Sequence, residues 1–548
     1  MRRRNLLARL AVIGWAVLGA LPAAAQSPPT AEAIRAIVAA GRLEGLRWPR
    51  FPDYQYILVA LYEPRGYAPL WLDGGRPTPQ AAEAIASLRA AAAKGLDPRH
   101  YDADLLDQAS HALGASASPQ EQARFDAMLS VATLRNISDL HIGRVNPKHL
   151  AFGFDIDPKK YDLAALVAGA VREGRVREVV EQAEPHFPQN RRLEEQLARY
   201  RRLAEDPESG PVHVSPPVKP GSPLASAPEL ARWLAALGDL PASETAVSGV
   251  YEGALVEAVK RFQARHGLAP DGTIGAATAK ALAVPASKRV RQIELALERL
   301  RWIPPLETGR VVFVNVPAFE LWAFDEIGPE QGPAVQMPVV VGRALRTETP
   351  IFTGAIKTVV FAPYWNVPRS ITRNEIVPKL RRNPGYLAAQ QMEIVSGGQV
   401  LPPTAANIEK VASGAAQLRQ RPGPKNALGR VKFLFPNSNN VYLHDTPSQA
   451  AFSEARRDFS HGCIRLSQPA ALAEWVLRGT PGWDAERVAR EMKRTTELAV
   501  PVQPPIPVVI YYTTAVARRD GTIGFYEDVY GQDARLERAL AAGYPYPP

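Results

Sequence analysis

The chain has 548 residues, 46% of them hydrophobic and 22% charged, and a formal net charge of +10. A chain of this length exceeds what one core organises, and domains of ~100–200 residues predict three or four units. Lysines and arginines are scattered among acids with no dense basic run interleaved with aromatics, which argues against nucleic acid as a partner. The mild positive bias suits a carboxylate-bearing polymer as well as it suits a solvated surface.

Residues 1–25 read as a signal peptide. An arginine-rich start precedes an apolar stretch from Leu10 to Leu21 and the small residues Ala23-Ala24-Ala25. The alternative is an uncleaved inner-membrane anchor, although the apolar run is shorter than the ~20 residues that comfortably span a bilayer. Cleavage after Ala25 removes Arg2, Arg3, Arg4 and Arg9 and leaves +6. The expected destination is the periplasm, and the paired arginines hint at a twin-arginine route.

Residues 26–206 carry helical patterns. Pro79 to Ala93 is rich in alanine and leucine, and Leu193, Leu197, Tyr200 and Leu203 recur every three or four positions. No constellation of catalytic side chains occurs there. Residues 207–228 are proline-rich and predict a linker or irregular crossing. Residues 229–285 are helical again, with an apolar face through Ala254 to Gln263 and a turn signal at Asp271-Gly272-Thr273-Ile274-Gly275.

Beyond a further helix at Arg291–Leu300, residues 286–548 turn to alternating apolar runs: Val311–Val316, Val335–Gly342, Ile356–Phe361, Val431–Pro436, Asn440–His444, Val508–Thr513 and Thr522–Tyr526. Short strands at close spacing predict a sandwich or barrel rather than a parallel α/β sheet, with a hairpin turn at Arg519-Asp520-Gly521. An insertion over 366–425 interrupts this region. Its first half reads as short helices broken at Pro378 and Pro384, and long insertions in a compact β domain commonly act as lids.

The chemistry gathers at Asp458–Ser467, which holds Cys463, the only cysteine of the chain. In an oxidising compartment structural cysteines come in pairs, so a single one among Ser460, His461, Gly462 and Arg465 points to a reactive thiol. His444 ends the short β-rich run Val441–His444 and is the candidate general base, able to draw the proton from Cys463 and return it to a leaving amine. Backbone amides around Gly462 and Cys463 are candidate oxyanion donors, and Ser460 is counted with them as an oxyanion or substrate residue. Tyr442 stands two positions from His444 in a strand, so its hydroxyl is expected on the same side. Arg465 has the fork that suits a carboxylate, and His461 is expected to shape the loop. The group that orients His444 is not assigned from the sequence, because neighbouring strand residues such as Asp445 face away.

His444 followed by Ser460-His461-Gly462-Cys463-Ile464-Arg465 resembles the signature of L,D-transpeptidases, bacterial cell-wall enzymes with a cysteine nucleophile. Leu61-Tyr62 through Trp71-Leu72, Gly95-Leu96-Asp97-Pro98 and Asp139–Arg144 resemble the N-terminal scaffold domain of the large multidomain members from Gram-negative bacteria. Phe262-Gln263 with Asp271–Gly275 resembles the small three-helix peptidoglycan-binding domain. The resemblance implies a multidomain α + β chain: a helical scaffold, a three-helix module and a mostly β, sandwich-like catalytic domain with a helical lid insertion.

It further implies acylation of Cys463 by a tetrapeptide stem, release of D-alanine and resolution by a diaminopimelate amine to give 3-3 cross-links. Peptidoglycan stem peptides are then the partners, with other cell-wall synthesis enzymes as further ones, and neither cofactor nor metal is expected. Rival readings are a thiol carboxypeptidase or endopeptidase, a zinc enzyme using His444, His461 and Cys463, and a wall-binding protein without catalysis.

Overall fold

The computed structural model describes residues 28–543, apart from 115, 209, 307–308 and 329–330. The expected signal peptide lies outside the described residues.

The helical half is gathered around one long helix. α1 (Pro29–Ala40), α2 (Pro52–Tyr62), α3 (Pro79–Ala90) and α4 (Ala103–Ala112) pack about α5 (Pro119–Ile142), beside the two-residue strands β1 (Leu72–Asp73) and β2 (Arg76–Pro77). α5 starts where it does because the Ser118 hydroxyl accepts from the Glu121 N–H while the Glu121 carboxylate accepts from the Ser118 N–H at 2.8 Å. Pro119 adds a preset first turn to this capping box. Asp126, buried on α5, accepts from the Leu70 and Trp71 amides at 3.0 and 2.7 Å and from the Tyr62 hydroxyl at 2.6 Å. Burial pushes its carboxyl up to about 6, against these hydrogen bonds.

α6 (Leu163–Glu173), α7 (Val176–Gln182) and α8 (Pro188–Glu205) follow. The proline-rich stretch 207–228 then departs from the linker reading. Val212, Val214, Val218 and Leu224 are buried; the Val212 N–H donates to the Leu282 carbonyl, and Val218 and Ile274 exchange hydrogen bonds of 3.1 and 2.9 Å. Proline forbids a helix here, but alternate valines on an extended segment share a side and can be buried. The stretch is therefore laid against α9 (Ala227–Leu237), α10 (Ala254–Arg265) and α11 (Ala276–Leu282). The Gln263 side chain on α10 accepts from the Gly272 N–H at 2.9 Å and donates to the Thr273 carbonyl at 2.8 Å. That tie accounts for glutamine nine positions ahead of a glycine with φ of 75°.

α12 (Ala286–Leu300) packs on α8 and anchors the helical half to the sheet. Its buried Glu298 accepts from the Arg144 and Val145 amides at 2.5 and 3.1 Å.

The strands are β3 (Val311–Asn315), β4 (Glu320–Phe324), β5 (Val335–Gly342), β6 (Phe352–Phe361), β7 (Trp365–Asn366), β8 (Met392–Ser396), β9 (Gln399–Leu401), β10 (Gln417–Gln420), β11 (Val431–Leu434), β12 (Leu443–His444), β13 (Asp458–Ser460), β14 (Ile464–Leu466) and β15 (Leu498–Tyr511). The hairpin of β16 (Ala515–Ala517) and β17 (Ile523–Phe525) closes around the turn read from Arg519-Asp520-Gly521. The main sheet runs β13-β5-β14-β12-β11-β6-β15-β3-β4, and β4 pairs back onto β5, so the ladder closes on itself. Three pairings are parallel: β12 with β14, β15 with β3, and β13 with β5. Closure buries one face of every strand, with Val314, Leu321, Val339, Leu443, Ile464 and Ile510 in the interior.

The insertion carries a small sheet beside its helices. Its first half is helical (Arg369–Ile371, a π turn at Thr372–Ile376, Val377–Arg382 and Tyr386–Ala389), but its second half is a helix, Ala405–Ser413, on the sheet β7-β10-β8-β9. Gly397 and Gly398, both at positive φ, turn β8 into β9. The insertion encloses a core of its own containing Ile371, Leu380, Ile394, Ile408 and Leu418. This unit is held to the barrel near Asn426, whose side-chain amide donates to the Pro363 carbonyl at 2.9 Å.

Candidate active site

The parallel pairing of β12 with β14 sets the site. Leu443 lies opposite Ile464, and His444 opposite Arg465. One step back in the same register Tyr442 lies beside Cys463, where the Ile464 N–H donates to the Tyr442 carbonyl at 3.1 Å. Leu443 and Ile464 point into the barrel. Alternation then sends Tyr442, Cys463, His444 and Arg465 together to the outer face, with His444 diagonal to Cys463.

His444 is only 5% exposed. Its Nδ1 lies 2.5 Å from the Asp445 carbonyl oxygen. A carbonyl can only accept, so Nδ1 carries the proton and Nε2 the lone pair. Burial drives the imidazole pKa down to about 3, helped by the Arg465 and Lys432 charges and opposed by the Asp445 carbonyl. The orienting group that sequence reasoning left open is thus a backbone oxygen. Asp445 itself is fixed by its side chain, which accepts from the Arg430 and Thr446 amides, each at 2.7 Å.

The Cys463 thiol donates to the Asn440 carbonyl at 3.8 Å. Burial raises its pKa, while the Tyr442 backbone N–H, the Tyr442 hydroxyl and the Arg465 charge draw it back toward the thiolate. Both shifts favour the uncharged forms, a thiol and an imidazole. The Tyr442 ring meets the His444 ring edge to face at 5.7 Å. Its hydroxyl is pushed up by burial and by Cys463, with Trp365 of β7 in hydrogen-bonding contact on the other side.

Ser460 and Gly462 take different places from the expected one. The Ser460 hydroxyl donates to the Cys463 carbonyl at 2.6 Å and accepts from the Gly462 N–H at 3.1 Å. The Gly462 amide is thereby committed to the loop, and the Cys463 amide is the backbone donor left beside the thiol. Gly462 has φ of 112°, a conformation that side chains rarely adopt. The loop is clamped from behind: Thr349 Oγ1 donates to the Gly462 carbonyl at 2.9 Å, and Thr347 Oγ1 to the Ser460 carbonyl at 2.9 Å. Tyr530 reaches over from the C-terminal segment to donate to the Gly342 carbonyl at 2.6 Å and accept from the Thr349 amide at 3.1 Å.

His461 turns outward, and its Nε2 lies 2.6 Å from Glu375 Oε1 on the π turn of the insertion. This ties the cap directly to the cysteine loop. Burial lowers the Arg465 pKa, and among the described residues no carboxylate forms a salt bridge with Arg465.

Residues 309–488 match the L,D-transpeptidase catalytic domain family. Ahead of that match, residues 57–197 match the scaffold domain. Residues 226–282 match a family described as "Putative peptidoglycan binding domain". A curated relative from Haemophilus influenzae, "Putative L,D-transpeptidase", is 29% identical over 261 residues. The match covers 47% of this chain and 51% of the relative, so the chain spans about half the length of the curated relative it matches. Among solved structures, an L,D-transpeptidase from Xylanimonas cellulosilytica is 17% identical with a TM-score of 0.18, over 55% of this chain and 100% of that one. One from Stackebrandtia nassauensis is 14% identical with a TM-score of 0.23, over 55% and 96%.

One prediction tests how the base is held. Gly429 has φ of 62°, and a Cβ there would fall 2.3 Å from the Asp445 carboxylate. Gly429→Ala is expected to cost about 1–3 kcal/mol in thermal unfolding, from backbone strain and the displaced carboxylate together. A melting temperature unchanged from the parent would show that the turn relaxes freely.

Proposed function

We propose that this chain is a peptidoglycan L,D-transpeptidase whose nucleophile is Cys463 and whose general base and acid is His444. The observation that carries the reading is the cross-strand placement of the only thiol on the same outer face as a buried imidazole whose free lone pair is on Nε2. His444 takes the thiol proton as sulfur attacks the carbonyl carbon of the donor stem. The tetrahedral intermediate collapses to a thioester, the C–N bond breaks, and His444 returns the proton to the amine of departing D-alanine. A diaminopimelate amine of a second stem then attacks the thioester, yields its proton through His444 and releases Cys463.

The Cys463 amide and the Tyr442 hydroxyl are the donors nearest to where the oxyanion develops. Arg465 offers its charge to a stem carboxylate. The three-helix module supports peptidoglycan as the partner, and both matched domains support a cell-wall location outside the cytoplasm. No described helix is long and apolar enough to cross a membrane.

The test is the intact mass of the protein after incubation with a tetrapeptide muropeptide, with the adduct mapped to a peptide and the released products separated. An adduct on Cys463 with new cross-linked dimers is expected. Shortened monomers alone would make the chain a carboxypeptidase, and no adduct would remove the catalytic reading.

The cap supplies a further expectation. Water competes with the acceptor amine for the thioester, and the insertion covers that face. Deleting residues 372–424 is expected to leave the barrel folded and to abolish cross-linking; unchanged turnover to dimers would exclude a lid role.

A further inference from the structure

On the far side of the barrel from Cys463 lies a second cavity, of about 400 Å³, where α8, the β16–β17 hairpin and the outer faces of β3, β4 and β15 meet. Its wall comes from outward positions of the closed sheet. Phe313 lies opposite Trp322 in the β3–β4 register, and Phe313 meets Phe324 and Tyr511 edge to face at 6.0 and 5.8 Å. All four aromatics are only partly buried. Phe313, Phe324 and Tyr511 pack against the core at their inner edges and leave the rest of the strip open to the cavity.

Polar groups stand within the wall and at its mouth. Glu320, also on β4, accepts from the Gln336 amide at 3.2 Å, and burial raises its pKa. The mouth is basic. Arg192 of α8, Arg518 and Arg519 line both this cavity and an adjoining recess reached by Arg191. Arg519 lies so that a Cβ on Gly332 would sit 2.7 Å from its guanidinium, which places that cation across the rim. Asp520 lines the cavity beside these arginines; it accepts from the Thr522 N–H and hydroxyl at 2.9 and 2.7 Å, and against its burial these bonds and the Arg518 charge lower its pKa. The junction is firm: with its amide turned to satisfy both partners, Gln189 donates to the Ala517 carbonyl at 2.9 Å and accepts from its N–H at 2.7 Å.

We infer that this cavity is a binding site for an amino sugar bearing a carboxylate, with the sugar ring against Trp322 and Phe313 and the acid toward the arginines at the mouth. A pure hydrocarbon would bury the Glu320 carboxylate with only the Gln336 amide to satisfy it, and a bare anion would gain nothing from the aromatic wall. A pyranose ring presents C–H faces to the aromatics, hydroxyl and N-acetyl groups to Glu320 and Gln336, and, where it carries an acid, a partner for the guanidinium fork. Naming the glycan strand of peptidoglycan as the source rests on the proposed function; the chemistry of the cavity does not. A grip on the strand here, opposite the cysteine, would hold the wall while stems are exchanged at β12 and β14.

The experiment is calorimetric titration of the full chain with N-acetylglucosaminyl-N-acetylmuramic acid, which has the acid but no peptide, beside N,N′-diacetylchitobiose, which has neither. Saturable binding of the acidic disaccharide is expected, weakened at least tenfold by Trp322→Ala and severalfold by Arg519→Ala, with chitobiose weaker than the acidic sugar. Absence of saturable binding, or binding that Trp322→Ala leaves intact because another part of the chain holds the sugar, overturns the site. Equal affinity for the two sugars overturns the role of the arginines. Acylation of Cys463 by a tetrapeptide, measured on the same samples, reports folding and separates the two proposals. Acylation without sugar binding removes only this inference, and sugar binding without acylation removes only the transpeptidase.

Discussion

Cys463→Ala is expected to lose adduct formation and dimer production entirely, a fall of a thousandfold or more against the parent. The size follows from the route, because without sulfur there is no acyl-enzyme and nothing else on the outer face of β12 and β14 can replace it. Tyr442 is the nearest other nucleophile, and burial beside Cys463 pushes its hydroxyl pKa up, so it stays protonated. Cys463→Ser is the sharper variant. It keeps a donor for the Asn440 carbonyl and nearly the same volume, but its hydroxyl is far harder to ionise than a thiol. Folding should be retained, since the loop is held through backbone groups by Ser460, Thr347 and Thr349. Serine activity within tenfold of the parent would remove thiol chemistry from the mechanism.

The proposed pair, Cys463 and His444, could be singled out in the sequence by residue type: one cysteine in a chain expected in an oxidising compartment, and a histidine at a strand end. Tyr442 followed from strand alternation, which the parallel register of β12 and β14 preserves, and Arg465 from its guanidinium fork. What orients His444 was not legible, because the Asp445 carbonyl belongs to the backbone and any residue could supply it. Thr347, Thr349 and Tyr530 were missed for another reason. They stand more than a hundred positions before Cys463 or nearly seventy after it, and only the closed sheet brings them behind the cysteine loop. Ser460 was placed at the site, yet its hydroxyl takes up the Gly462 amide, a local turn that residue type alone does not distinguish from an oxyanion donor.

Patterning fared similarly in the fold. Alternation identified most of the barrel strands, but the sandwich-like reading could not specify that β4 returns to β5, since closure depends on register rather than on composition. Within the insertion, prolines marked broken helices in the first half. The short strands of the second half, each only three to five residues long, were too brief for a period of two to register. At 207–228 the prolines marked the irregular crossing, and the valines between them were the signal for its burial.

His444→Ala is expected to slow acylation by about 10²–10⁴-fold, the usual worth of a positioned general base, or roughly 3–5 kcal/mol of barrier. The pH dependence carries the finer test. In the parent the imidazole pKa is held near 3 by burial and the thiol is raised by burial. The acid limb of the acylation rate should therefore show no inflection near pH 6.5, where an ordinary histidine titrates. Alkylation of the resting thiol by iodoacetamide should still be rising past the pH at which an ordinary cysteine levels off. A thiolate–imidazolium pair formed at rest would predict the reverse, with alkylation already on a plateau at neutral pH. Stability follows the same logic. Between about pH 6.5 and 3 the unfolded chain protonates His444 and the native chain does not, so this group contributes a loss of stability as pH falls through that window. Asp126 and Asp139, raised by burial to about 6 and about 7, act with the opposite sign, stabilising the native state as pH falls. The difference between parent and His444→Ala in denaturant midpoint against pH cancels those carboxyls and isolates the histidine. That difference should move against the parent as the solution is acidified, and a flat one would mean that His444 is charged in the native protein.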